Sequence, residues 1–228
     1  GIDYNYYSPE NDNAIAVNYR AGELDKKYEN KLALQREVGL PERTDVPMIA
    51  IISRLASHKG IDIISQMIYS LVGNNNVQLV LLGKGEAQYE GFFKGLEEAY
   101  PDKVRALITY DRDLSKRIYA ASDIFLMPSI AEPCGLSQMI ASRYGSIPLV
   151  RRTGGLADSI VDFTVKGNGY TFDNIDSNEM YTVFKRALAD YSNQEEWENK
   201  VKKVMSVDFG WTKSAKEYLK MYDDVLNK

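Results

Sequence analysis

From residue 47 onward the chain alternates between two hydrophobic rhythms. Short apolar runs at Met48 to Ile52, Val77 to Leu82, Val104 to Ile108, Asp123 to Met127 and Ile147 to Val150 read as buried strands. Between them, apolar residues recur at helical spacing. Ile61, Ile64, Ile68, Leu71 and Val72 form one stripe, closed by the break Gly73-Asn74-Asn75-Asn76. Glu86 to Ala99, a short segment marked by Leu114, Ile118 and Ala121, Gly135 to Tyr144, and a helix beginning over Gly155 to Val161 continue the pattern. Strands this short and apolar, separated by single helices, predict a parallel sheet covered on both faces. The expected fold class is α/β, an open, doubly wound parallel sheet with helices on both faces.

The flanks are less regular. Lys26 to Val38 predicts a helix ended by Gly39 and Pro41. After Gly169-Tyr170-Thr171-Phe172 the chain turns helical, with one stripe at Met180, Val183, Phe184, Ala187, Leu188 and Tyr191. A second runs through Trp211, Ala215, Tyr218, Leu219, Tyr222 and Leu226. No repeat, low-complexity tract or Pro/Gly-rich linker divides the chain, so residues 1–228 read as one domain with additional C-terminal helices. The first residues, Gly1-Ile2-Asp3, lack an initiator Met, and the expectation is a piece of a longer protein.

Composition narrows the chemistry. The 228 residues are 44% hydrophobic and 26% charged with a net charge of −4, which gives no support for a nucleic-acid or membrane partner. No apolar run approaches the roughly 20 residues that span a bilayer. Cys134 is the single cysteine and His58 the single histidine. A disulfide within the chain is therefore impossible, a Cys/His zinc site lacks ligands, and a reducing compartment is the simpler setting. A Ser-His-Asp triad would need His58, and no G-x-S-x-G elbow accompanies it.

Ligands of open parallel sheets bind beyond the carboxyl ends of the strands. There this sequence carries Ser53-Arg54-Leu55 with Lys59-Gly60, then Gly83-Lys84-Gly85-Glu86, Thr109-Tyr110-Asp111, Pro128-Ser129 with Glu132-Pro133-Cys134-Gly135-Leu136-Ser137-Gln138, and Arg151-Arg152-Thr153-Gly154-Gly155-Leu156. Cations beside glycine-containing loops that open helices suit a diphosphate held without a metal. The carboxylate of Glu132 suits hydroxyl groups, so a sugar diphosphonucleotide explains cations and acid together. Singly, each feature has a plainer reading: a tight turn at Gly83 and Gly85, solvated charges at Arg54, Lys59, Arg151 and Arg152, a core aromatic at Tyr110, and packing at Cys134. Their joint placement at strand ends favours the site.

The segments SRLASHKG (Ser53 to Gly60), PSIAEPCGLSQ (Pro128 to Gln138) and RRTGGLADS (Arg151 to Ser159) resemble the signature segments of bacterial glycogen synthases and plant starch synthases. GIDYNYYSP at the start and FGWTKSAKEYLKMY near the end are similar too. The resemblance implies one Rossmann-like half of a retaining GT-B glycosyltransferase. Its C-terminal, nucleotide-sugar-binding domain would span residues 1–228, and the helix in 209–228 would contact the absent N-terminal domain. By position, Arg54 and Lys59 would grip the donor diphosphate and Glu132 would hydrogen-bond the glucose. Cys134, Gly135 and Leu136 would present amides to phosphate or sugar. Tyr110 would pack on adenine, and Thr153, Gly154 and Gly155 would shape the donor pocket, with Gly83 and Gly85 on the same rim. The implied reaction moves glucose from ADP-glucose to the 4-hydroxyl of an α-1,4-glucan with retention and without a cofactor or metal. Implied partners are ADP-glucose or ADP, the glucan and the N-terminal domain, without which the fragment would bind nucleotide but be inactive. A UDP-sugar transferase of the same architecture and a non-catalytic nucleotide-binding module are the alternatives. The setting would be cytoplasmic in a bacterium and plastidic in a plant. Departures are His58 where glutamine is usual, Ala131 where an aromatic is common, and Ile140 where the wider superfamily has a second Glu.

Overall fold

The computed structural model describes residues 1–227. Six strands form one sheet: β1 (Met48–Ile52), β2 (Gln78–Leu82), β3 (Val104–Leu107), β4 (Ile124–Met127), β5 (Ile147–Arg151) and β6 (Tyr170–Phe172). Their spatial order is β3-β2-β1-β4-β5-β6, and every pairing is parallel. The chain winds outward from β1 to β3, then returns to the other side of β1 for β4. That reversal opens a crevice beyond the C-terminal ends of β1 and β4. The apolar runs are apolar because both faces are covered: Met48, Ile49, Ala50, Leu79, Val80 and Leu81 have no exposed surface.

Nine helices are described: α1 (Leu24–Val38), α2 (Ile61–Asn74), α3 (Ala87–Ala99), α4 (Arg112–Ala121), α5 (Ser137–Arg143), α6 (Gly154–Ser159), α7 (Ser177–Tyr191), α8 (Gln194–Met205) and α9 (Trp211–Leu226). Gly39 ends α1 in the left-handed conformation at φ 74°. Two expectations shift. Helix α2 runs through Gly73 and Asn74, and only Asn75 leaves helical geometry. Gly135 is not helical: at φ 72° it is a left-handed loop residue before α5.

The sequence pattern missed β6, which is three residues long, and α8, where half the residues are charged. Trp197, Val201, Val204 and Met205 of α8 are nonetheless buried at helical spacing. In contrast, α9 has no buried residue, and its stripe of Trp211, Tyr218, Leu219, Tyr222 and Leu226 is exposed. No described helix is long and apolar enough to cross a membrane.

At the N-terminal end of the sheet, Lys31 of α1 donates to Asp123 at 2.6 Å, to the Val46 carbonyl at 2.5 Å and to the Tyr191 hydroxyl at 3.0 Å. Asp123 also accepts from the Met48 amide at 2.7 Å, joining the start of β1 to the start of β4. Both charges are fully buried.

Candidate functional site

The loops beyond β1 and β4 interlock at the opposite end of the sheet. After β1 the chain makes one 3₁₀ turn, Ser57–Lys59, and Gly60 closes it at φ 76°. A Cβ on Gly60 would stand 2.1 Å from the Pro128 carbonyl oxygen, so only glycine lets this turn approach the β4 loop. The His58 carbonyl then accepts from the Ile130 amide at 2.9 Å. This packing brings Lys59 Nζ to 2.6 Å from Glu132 Oε2, which also accepts from Ser129 Oγ at 3.1 Å. Glu132 is buried and Lys59 is one-fifth exposed at its side chain. Among the described residues Glu132 Oε1 accepts no hydrogen bond, so the acid keeps one oxygen for a hydroxyl.

Arg54 lies on the same loop, exposed, with Nη2 3.2 Å from His58 Nε2. A guanidinium can only donate, so in this contact the imidazole accepts at Nε2. His58 is half-buried rather than freely exposed. Neither Arg54 nor Lys84 has a carboxylate partner among the described residues.

Gly83 and Gly85 are required by close approach. A Cβ on either would come within 1.9 Å of the carbonyl oxygen of Ser53 or Leu55, respectively. Their amides are already used: Gly83 donates to the Leu107 carbonyl and Gly85 to the Glu90 carboxylate. These glycines therefore shape the rim and do not offer amides to a phosphate.

The loop before α5 differs. The amides of Cys134, Gly135 and Leu136 donate to no acceptor among the described residues, and neither do those of Thr153 and Gly154. The Gly155 amide donates to the Glu132 carbonyl at 3.0 Å, which presses the two loops together. Cβ atoms on Gly154 and Gly155 would stand 2.2 Å from the carbonyl oxygens of Glu132 and Cys134.

A cleft of about 680 Å³ opens beside these loops, its walls including Arg54, Gly83, Lys84, Tyr110 and Leu136. Tyr110 is 77% exposed, so it is a wall and not a core aromatic. Tyr6 and Tyr7, from the irregular first segment, also line the cleft, as does Tyr119. Burial raises the pKa of Tyr7 and Tyr119, so both phenols remain protonated at neutral pH. Lys59, Glu132 and the Thr153-Gly154-Gly155 turn lie outside these walls, joined to them through the β1 and β4 loops.

Two rim cations are engaged by the protein itself. Arg151 donates to the carbonyls of Ser129, Ile130 and Asp173, holding the β4 loop in place. Arg152 pairs with Asp173 at 2.6 Å. Among the described residues no three His, Cys, Asp or Glu side chains gather to hold a metal ion.

With this geometry in view, residues 35–204 match the family of glycosyl transferases group 1. The chain belongs to that family. It is 47% identical to a glycogen synthase of Thermosipho africanus over all of its own length and 48% of the relative's. It is 48% identical to a glycogen synthase of Clostridium perfringens over 99% of its length and 47% of the relative's. Among solved structures, the catalytic domain of starch synthase IV from Arabidopsis thaliana, bound to ADP and acarbose, matches at 40% identity with a TM-score of 0.91. That match covers 100% of this chain and 48% of the other. The chain thus spans about half the length of the relatives it matches. Its sheet is one Rossmann-like half of the GT-B architecture.

For a glycosyl transferase of this family, several residues in the cleft wall or behind it carry no role in the sequence pattern. Tyr6 and Tyr7 lie far from the sheet in sequence, and only the fold brings them to the cleft. Ser129, Gln138 and Ser159 are buried or half-buried hydroxyl and amide side chains whose spacing alone carries no signal, though each falls inside a segment that resembles the synthases.

Proposed function

We propose that this chain is the donor-binding half of an α-glucan synthase that transfers glucose from ADP-glucose to the 4-hydroxyl of an α-1,4-glucan with retention. The carrying observation is the juxtaposition at the β1/β4 crevice. An ion pair keeps Lys59 and Glu132 together; among the described residues Arg54 and Lys84, beside a cleft, have no carboxylate partner, and the amides of Cys134 to Leu136 have no acceptor. In the reaction the bond from the glucose anomeric carbon to the diphosphate oxygen breaks, a bond to the acceptor oxygen forms, and the acceptor's hydroxyl proton passes to the departing diphosphate. The charge that develops on the leaving ADP is met by Arg54, Lys59 and the loop amides, all placed before the reaction begins. Glu132 accepts from glucose hydroxyls through its free oxygen. Tyr110, with Tyr6 and Tyr7, walls the region for the base. No metal is needed, because the cations are supplied by side chains.

The sequence similarity to glycogen synthases and to a starch synthase bound to ADP supports this choice of donor and acceptor. In this proposal an N-terminal domain completes the other wall, and the exposed stripe of α9 packs against it. The chain alone then binds nucleotide without elongating glucan. Calorimetry on the chain with ADP and UDP tests the reading. ADP binding more tightly than UDP is expected, while tighter UDP binding would favour a UDP-sugar enzyme. Measurable elongation by this chain alone would refute the need for a second domain.

A further inference from the structure

The free amides at the β4 loop raise a question of aim. An N–H that lacks an acceptor is useful only if something keeps it from turning inward. Gln138, fully buried in the first turn of α5, does this. Of its two Nε2 hydrogens, one donates to Ser159 Oγ at 3.0 Å and the other is shared between the Gly135 carbonyl at 3.0 Å and the Cys134 carbonyl at 3.3 Å. A trans peptide is planar, with C=O and the following N–H pointing in opposite directions. Drawing the Cys134 and Gly135 carbonyls onto Gln138 therefore turns the Gly135 and Leu136 amides away from it. Both amides lack an acceptor among the described residues, and Leu136 borders the cleft.

The side chain has one workable orientation. Its Oε1 is buried and has no partner among the described residues. Flipping the amide would face that oxygen with two carbonyl oxygens, so the unpaired Oε1 is the lesser loss. Gly135 completes the arrangement, since a Cβ there would stand 2.5 Å from Gln138 Oε1. Ser159 extends it: its hydroxyl donates to the Gly155 carbonyl at 2.7 Å while accepting from Gln138. One side chain thus ties the loop before α5 to the turn that opens α6.

We propose that Gln138, anchored by Ser159, is the positioning residue that aims the Gly135 and Leu136 amides at the donor's phosphates. This deepens the proposed function and rests on it for the identity of the ligand. The test uses Gln138→Met, which keeps length and volume but removes the donors, and Ser159→Ala, which removes only the anchor. ADP and adenosine are titrated calorimetrically, and relaxation of the Gly135 and Leu136 amides is followed by nuclear magnetic resonance. ADP affinity should fall about tenfold in Gln138→Met and about threefold in Ser159→Ala. Adenosine affinity should not change, and both loop amides should gain mobility. Unaltered amide order in the variants overturns the proposal, as does an equal loss of ADP and adenosine binding. If the unmodified chain binds no ADP, the donor reading falls, and amide order alone still decides whether Gln138 fixes the loop. Should Gln138→Met fail to fold, Ser159→Ala carries the same measurements.

Discussion

The two ends of the sheet each hold a lysine and a carboxylate 2.6 Å apart, and the pairs do opposite work. At the N-terminal end, Lys31 and Asp123 are wholly buried. Lys31 reaches two backbone carbonyls and the Tyr191 hydroxyl besides its acid. Such a pair clamps α1, β1 and β4 and has no donor left for a ligand. At the C-terminal end, Lys59 keeps 20% of its side chain exposed and has Glu132 as its one hydrogen-bond partner among the described residues. Its remaining hydrogens, and one oxygen of Glu132, are available. The contrast separates a group satisfied by the fold from one that the fold prepares for a partner.

The largest effect should come from breaking the buried pair. Lys31→Met leaves Asp123 charged and unpaired, and should destabilise the chain by about 3–5 kcal/mol in urea unfolding. Lys59→Ala should do the reverse. On the proposed function it should lower the glucan elongation rate of the full-length protein on the order of 10²–10³-fold, while stability falls less than in Lys31→Met because the buried Glu132 left behind keeps the Ser129 hydroxyl. Gly60→Ala sharpens the link between turn and site. It strains a left-handed residue and drives a methyl toward Pro128, costing about 1–3 kcal/mol and weakening ADP binding as Lys59 leaves Glu132.

A smaller, pH-dependent effect belongs to the far edge of the sheet. Burial pushes the Asp162 carboxyl up, but hydrogen bonds from Arg186 and from the amides of Thr164 and Thr171 outweigh it and lower its pKa to about 2. The folded state then binds this proton less readily than the unfolded chain. The resulting stability is present above the ordinary carboxylate value and is lost as pH falls from about 4 to about 2. Asp162→Asn should flatten the stability curve within that window and leave the rest unchanged, as read by unfolding at a series of pH values.

Much of the sheet was legible because its strands are buried on both sides and so carry unbroken apolar runs. Helix α8 was not, since its buried Trp197, Val201, Val204 and Met205 are interleaved with charges that face solvent. Strand β6 is too short to show a rhythm. At the rim, residue type could not distinguish Arg54, which has no carboxylate partner, from Arg151, whose guanidinium is held by three carbonyls. Both are arginines at or just past the end of a strand, and only the loop paths decide. For the same reason Gly83 and Gly85 read as a phosphate cradle, yet they are glycines because neighbouring backbone leaves no space.

The most direct test of the central claim, that the crevice between β1 and β4 receives a nucleoside diphosphate, is an amide chemical-shift map of the chain titrated with ADP. The account predicts the largest changes at Ser53, Arg54, Lys84, Tyr110, Gly135 and Leu136. Changes confined instead to the hollow among α5, α6 and α9, around Asp158, Phe209 and Lys213, would contradict it, as would no change at saturating ADP.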